Sequence, residues 1–279
     1  MIDLDAYCRR IAYAGPREPT LAALTAVCAA HTAAIPFENL DAFLGRAPLL
    51  APTALQAKLV ERRRGGYCYE QNALLRLALL DFGFAVTSLA ARVVWMAAPG
   101  AAVRARSHML LTVTLPGAPG HAYLVDVGFG GHLLGAPLHF VPGLVQSTPG
   151  GTERIAQDGE VYSLEAQLPA GWTPVYRFTL EPLLPVDYEP LNWYTGTHPG
   201  SIFCHNLRLE RLTAAYRASL LNDKLTLRAH DGDARVRRLA DPADLARVLD
   251  EVFDIDPPVP AAGLFERVPK GLDGAFMPG

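Results

Sequence analysis

The sequence predicts an α+β chain of several domains: an N-terminal helical bundle, a central antiparallel sheet and a C-terminal α/β region. Three observations carry this. Apolar residues recur at helical spacing over the first 82 residues. Near Gly83 the pattern changes to short runs rich in Val, Thr, Tyr and Phe, separated by turns such as PGAPGH, TPGG and QDGE. From Asn192 onward, short strands alternate with helix. The predicted divisions are 1–82, 83–191 and 192–279.

In chain order, residues 3–13 place Leu4, Tyr7, Cys8 and Ile11 on one helical face, with acids in the first turn facing the positive end of the helix dipole. Thr20 can cap a second helix running to about Ala33, with Leu21, Leu24, Val27 and Cys28 inward. Pro36 ends it, because the residue before a proline is pushed out of the helical region. Thr53 opens a third helix with Leu55, Leu59 and Val60 inward. Gly65 and Gly66 precede a fourth, from about Tyr67 to Asp81. The region 83–191 reads as antiparallel sheet, a barrel or a sandwich, and residues 175–180 as one of its strands. Beyond Asn192, strands are predicted at 208–212 and 224–229, and Asp241 can cap a helix over 242–252. The Pro/Gly-rich residues from Pro257 read as loosely ordered.

The chain has 279 residues, enough for roughly two domains and a sizeable core. With 50% hydrophobic and 19% charged residues it is a globular composition, not a disordered one. A net charge of −3 argues against a general nucleic-acid binder. The opening MIDLDAYCRRIAYAG is not a secretory signal, and the most apolar stretch, 85–103, is broken by Arg92 and Pro99, so no membrane span is expected. Four cysteines without a CxxC pair suggest free thiols in a reducing cytoplasm and argue against zinc. Cys204 and His205 are adjacent, so on a strand they would face opposite sides and could not share a metal.

The segment Arg64-Gly-Gly-Tyr-Cys68-Tyr-Glu70-Gln-Asn72 is the most informative. Its glycines allow a tight turn and a close approach. Cys68 then falls in the first turn of a strongly helix-forming segment, ALLRLALL. Unpaired N–H groups and the dipole at that end favour an anion, which is the nucleophilic form of cysteine. His108 opens the strand HMLLTVTL, and Asp126 lies in the next, HAYLVDVGFG. Their numbers sum to 234, which centres a hairpin on Gly117; a centre at Ala118 shifts the pairing by one diagonal step. Both positions are even, so either centre puts them on one face with Cβ atoms about 4.5 to 8 Å apart. Asp126 could hold the imidazole in one tautomer and leave its other nitrogen for Cys68.

At these residues the chain resembles the arylamine N-acetyltransferases. The N-terminal DLDAYCRRI, Ala34-Ile-Pro-Phe-Glu-Asn-Leu-Asp41, the cysteine motif, His108-Met-Leu-Leu, Tyr123-Leu-Val-Asp126-Val-Gly-Phe-Gly130 and the run from Asn192 to Phe203 stand in family order. The resemblance implies a helical bundle, a β-barrel and an α/β lid, with a triad of Cys68, His108 and Asp126 arranged as in cysteine proteases. It implies no permanently bound cofactor, acetyl-coenzyme A as acyl donor, and arylamines, arylhydroxylamines or hydrazines as acceptors. By family position, Phe37, Tyr69, Val93, Phe129 and Phe203 are candidates for the acceptor pocket. Ser107 is the candidate neighbourhood for an oxyanion-binding amide. The mildly basic C-terminal region, with Lys224, Arg228 and His230, is the candidate contact for the donor's phosphates, since neither a Walker loop nor a dinucleotide fingerprint is present. Glu38 and Arg64 are implied to form a buried structural pair. Three rival readings share these motifs: an amide synthase of polyketide assembly, a thioester hydrolase, and a binding protein that retains the scaffold.

Overall fold

The structure, a computed structural model, describes residues 2–98, 100–117, 120–229 and 232–275. Five helical stretches lead the chain. Helices α1 (Leu4–Arg10) and α2 (Leu21–Ala34) are capped by Asp3 and Thr20, whose side chains accept from Ala6 N and Ala23 N. After strand β1 (Phe37–Glu38) and α3 (Leu40–Phe43), helix α4 (Pro52–Leu55) continues as a π-helical turn to Glu61. Helix α5 (Cys68–Asp81) follows the two glycines, and Glu70 turns back to accept from Tyr67 N at 3.1 Å.

A long antiparallel sheet comes next: β2 (Ala85–Val93), β3 (His108–Thr114), β4 (Ala122–Val125), β5 (Leu138–His139), β6 (Gln146–Thr148), β7 (Gly151–Asp158), β8 (Val161–Leu168) and β9 (Gly171–Phe178). Its order is β5-β4-β3-β2-β9-β8-β7-β6, and it curls into a nearly closed barrel. The Gln146 side chain joins the two edges by bonding His139 N at 2.8 Å and His139 O at 3.0 Å. Alternating inward residues, among them Leu89, Leu110, Leu124, Ile155, Leu164 and Val175, fill the barrel.

The chain then forms α6 (Tyr188–Thr197), α7 (Ile202–His205), β10 (Arg208–Leu212), β11 (Tyr216–Leu221), β12 (Lys224–Ala229), β13 (Ala234–Arg238), α8 (Pro242–Arg247, extended as a π-helical turn to Val252) and α9 (Ala261–Arg267). These strands make a second sheet, β1-β10-β11-β12-β13, with Leu209, Leu220 and Leu225 packed on α8 and α9 through Leu245, Leu249 and Leu264.

Four sequence expectations need correction. Residues 37–38 are not helical but add an edge strand to the C-terminal sheet, Phe37 opposite Glu210, so the first segment reaches across the molecule. Sheet structure ends at Phe178, and α6 starts at Tyr188, inside the segment assigned to strands. Cys204 and His205 sit in a helical turn, not on a strand. The tail is ordered as α9, because Leu264 and Val268 are buried in the second core. Among the described residues no helix is long and apolar enough to cross a membrane, and no three His, Cys, Asp or Glu side chains are grouped to hold a metal.

Candidate active site

Cys68 is the first residue of α5 and His108 the first of β3. In the hairpin of β3 and β4, Leu111 pairs with Val125 and Thr112 with Leu124. The hairpin is therefore centred on residue 118, one step from the Gly117 centre, and Asp126 is a diagonal neighbour of His108. Parity survives that step, so both side chains share a face. His108 Nε2 lies 2.6 Å from Asp126 Oδ2. The Cys68 side chain is a further hydrogen-bond partner of the same ring, which leaves Nδ1 as the nitrogen turned to sulfur.

All three side chains are removed from water: Cys68 is 3% exposed, His108 2% and Asp126 3%. Burial alone would disfavour a charged imidazole, but the Asp126 carboxylate and the hydrogen bonds to Asp126 and Cys68 prevail and raise its pKa to about 10. Burial likewise opposes ionisation of Asp126, yet His108, Asn72 and the Gly128 N–H hold its carboxyl below the usual range. The pair is thus an imidazolium held by a carboxylate, with the Cys68 sulfur beside it. Such a set can stabilise a thiolate and pass a proton to a leaving group.

Sequence reasoning missed Asn72, which lies one helical turn after Cys68. Its Nδ2 donates to Asp126 Oδ1 at 3.0 Å and to Met109 O at 2.8 Å, and its Oδ1 accepts from Val127 N at 3.2 Å. One side chain therefore ties the cysteine's helix to both strands that carry its partners. The i, i+4 spacing from Cys68 was the available signal. Gly128 N donates to Asp126 Oδ1 at 2.9 Å, and a Cβ on Gly128 would stand 2.7 Å from Cys68 Cα. Only glycine permits that approach of barrel to helix.

Ser107 is adjacent to the sulfur, but through its carbonyl, 3.7 Å from Cys68 Sγ. Its own N–H donates to Ala91 O at 3.1 Å and is engaged in the sheet. The Phe37 and Phe203 rings lie 6.2 Å apart, and the Phe129 ring stands edge-on to His108 at 5.1 Å. Val93 packs on the barrel core that includes Phe129. Tyr69 is fully buried between Tyr67 and Tyr188, behind Phe203. Lys224 and Arg228 are on β12, with Lys224 Nζ 3.7 Å from Asp273 and Arg228 Nη1 3.3 Å from Gly232 O. His230 lies outside the described residues.

Below the cysteine, Arg64 Nη2 meets Glu38 Oε1 at 2.7 Å, the pair implied by the sequence. Lys58 extends it to Asp41 at 2.5 Å and Glu70 at 2.7 Å. Burial raises the Glu70 pKa to about 7 even with Lys58 beside it, and the like charges of Glu38 and Asp41 push it the same way.

Known proteins resemble this chain over most of its length. A family model described as N-acetyltransferase matches residues 20–259. The arylamine N-acetyltransferase of Mycolicibacterium smegmatis is 44% identical over 91% of this chain and 92% of its own. A solved M. smegmatis arylamine N-acetyltransferase superposes with a TM-score of 0.91 at 40% identity, covering 96% of this chain and 99% of that one. The Mycobacterium marinum arylamine N-acetyltransferase in complex with CoA gives 0.89 at 38% identity, covering 95% and 99%. With its cysteine, imidazole and carboxylate brought together on the same scaffold, the chain belongs to the arylamine N-acetyltransferase family.

Proposed function

We propose that the chain transfers an acetyl group from acetyl-coenzyme A to an arylamine, arylhydroxylamine or hydrazine through a thioester on Cys68. The observation that carries this reading is the 2.6 Å contact of His108 with Asp126, buried beside a cysteine at a helix start. In the first half-reaction the Cys68 sulfur attacks the acetyl carbonyl. The C–S bond to coenzyme A breaks, and His108 gives its proton to the departing thiolate. In the second, the amine nitrogen attacks the thioester, its proton passes to His108, and Cys68 leaves. Asp126 keeps the ring oriented throughout, and Asn72 keeps Asp126 oriented.

The N–H groups of the first turn of α5 have no intrahelical acceptor, so that of Cys68 itself is placed for the oxyanion. Phe37, Val93, Phe129 and Phe203 form the acceptor pocket in this reading, with Tyr69 supporting it from behind. Near-complete burial of Cys68 keeps water from the thioester. Lys224 and Arg228 lie on the sheet face that also carries Phe37, since Phe37 pairs with Glu210, Glu210 with Ser219 and Ser219 with Thr226. That continuity supports a role for these cations, and for His230, toward the donor's phosphates. A cytoplasmic setting fits the free thiols. Relatives named arylamine N-acetyltransferase, matching over 91% of this chain, favour acetyl transfer over polyketide amide synthesis.

Coenzyme A release with and without an arylamine tests the proposal. Release that depends on the amine is expected. Release at full rate without it would make the enzyme a hydrolase.

A further inference from the structure

We propose that His132 and Glu153 are positioning residues for the second half-reaction. Paired inside the barrel, they fix the turn that sets Phe129 against His108, and with it one wall for the acceptor amine. This rests on the acetyl-transfer reading above and deepens it.

Glu153 is an acid on an apolar face. It stands on β7 opposite Ala166 of β8, and Ile155, two residues on, stands opposite Leu164; these three neighbours belong to the barrel core. Glu153 is fully buried there. Its Oε1 meets His132 Nε2 at 2.9 Å, and its Oε2 has no partner among the described residues. A carboxylate is kept in such surroundings only against a compensating group, and the imidazole supplies it. His132 is itself buried, with the Trp95 ring 5.5 Å from its own.

His132 ends the turn that begins at Phe129. Gly131 N and His132 N both donate to Phe129 O, at 2.8 and 3.1 Å. A Cβ on Gly131 would lie 3.2 Å from the Trp95 ring and 3.3 Å from the Phe129 ring, so the turn sits tightly against both. From the C-terminal sheet, Arg208 Nη2 donates to Gly130 O at 3.2 Å. The Phe129 ring stands edge-on to His108 at 5.1 Å and to Tyr176 at 5.5 Å. Phe129 thus owes its place to the anchoring of Gly130 and His132. The triad does not, because Asp126 is held by Asn72 and Gly128 N, and His108 by Asp126. Loosening the turn therefore spares the acetylation of Cys68 and falls on the seating of a flat ring against Phe129.

The test follows single-turnover acetylation of Cys68 by acetyl-coenzyme A, then discharge of the adduct by aniline and by hydrazine, which has no ring. It compares the wild type with the double variant His132→Leu/Glu153→Leu and with Glu153→Gln. The double variant removes the pair without stranding a buried charge, a replacement that cores commonly tolerate. Its second-order rate constant for discharge by aniline should fall about 10- to 100-fold, while acetylation and discharge by hydrazine change by less than about twofold. Glu153→Gln keeps a hydrogen bond to the imidazole and should show a smaller loss with aniline, about two- to fivefold. Equal losses for acetylation and for both amines would overturn the inference in favour of a general structural role. An unchanged aniline-to-hydrazine ratio would overturn it outright, and Glu153→Gln decides by that ratio if the double variant fails to fold. A wild type that takes up no acetyl group, or whose adduct aniline does not discharge, defeats the acetyl-transfer reading itself.

Discussion

His108 meets two opposing forces, loss of hydration and a carboxylate at 2.6 Å, and the carboxylate prevails. With its pKa raised to about 10, the ring stays protonated through neutrality. The rate of Cys68 acetylation should then show no step between about pH 6 and 8, where an ordinary imidazole titrates. Asp126→Asn removes the charge that raises the pKa, so a step should appear in that interval, and kcat should fall roughly a thousandfold or more. Single-turnover acetylation against pH measures both; a flat profile in the variant would mean that something other than Asp126 holds the proton. The pairing of these two residues was legible because parity along antiparallel strands is insensitive to a one-step error in the hairpin centre. Asn72 was legible only as a position one helical turn from Cys68; its role was not, because its partners lie 37 and 54 positions away.

Helix α5 is held at its start by charge as much as by packing. Gly65 can pass the preceding turn only without a side chain, since a Cβ there would lie 2.0 Å from Pro36 O. The turn carries Arg64 onto the fully buried Glu38 and sets Glu70 against Lys58. Glu38→Gln leaves Arg64 buried with only Asp41, and should cost about 3 to 5 kcal/mol of stability by urea or thermal unfolding. An unchanged melting temperature with lost activity would instead make Glu38 part of the chemistry. Periodicity and caps made the helices readable: Thr20 and Asp241 cap where expected, and α5 starts within one residue of its predicted position. Strand β1 was hidden because two residues carry no alternation, and its register is set by β10, 171 or more positions away. Helix α9 was hidden because Pro and Gly flank it, and only tertiary contact with α8 orders it.

Across the whole molecule, one buried chain of polar groups joins three helices. Tyr7 OH contacts His31 Nδ1 at 2.8 Å, His31 Nε2 contacts Gln71 Oε1 at 2.7 Å, and Gln71 Nε2 donates to Pro36 O at 2.7 Å. Burial lowers the His31 pKa to about 4. The unfolded chain takes up this proton near pH 6.5 and the folded one only near 4, so the stabilisation is whole above 6.5 and lost as pH falls toward 4. The unfolding free energy of the wild type relative to His31→Gln should therefore rise by about 3 kcal/mol between pH 4 and 6.5. A pH-independent difference in urea unfolding would rule this out. Glu70, with its pKa raised to about 7, acts in the opposite sense between its unfolded value and 7, and cancels in the comparison because both proteins contain it. The same three-helix frame holds Cys68 against the barrel, and the account depends on what that sulfur carries. Intact mass and peptide mapping after acetyl-coenzyme A, and again after an arylamine, test this most directly. The prediction is one acetyl group on Cys68, discharged by the amine and absent in Cys68→Ala. An adduct on another residue, an adduct that the amine fails to remove, or full turnover by Cys68→Ala would contradict it.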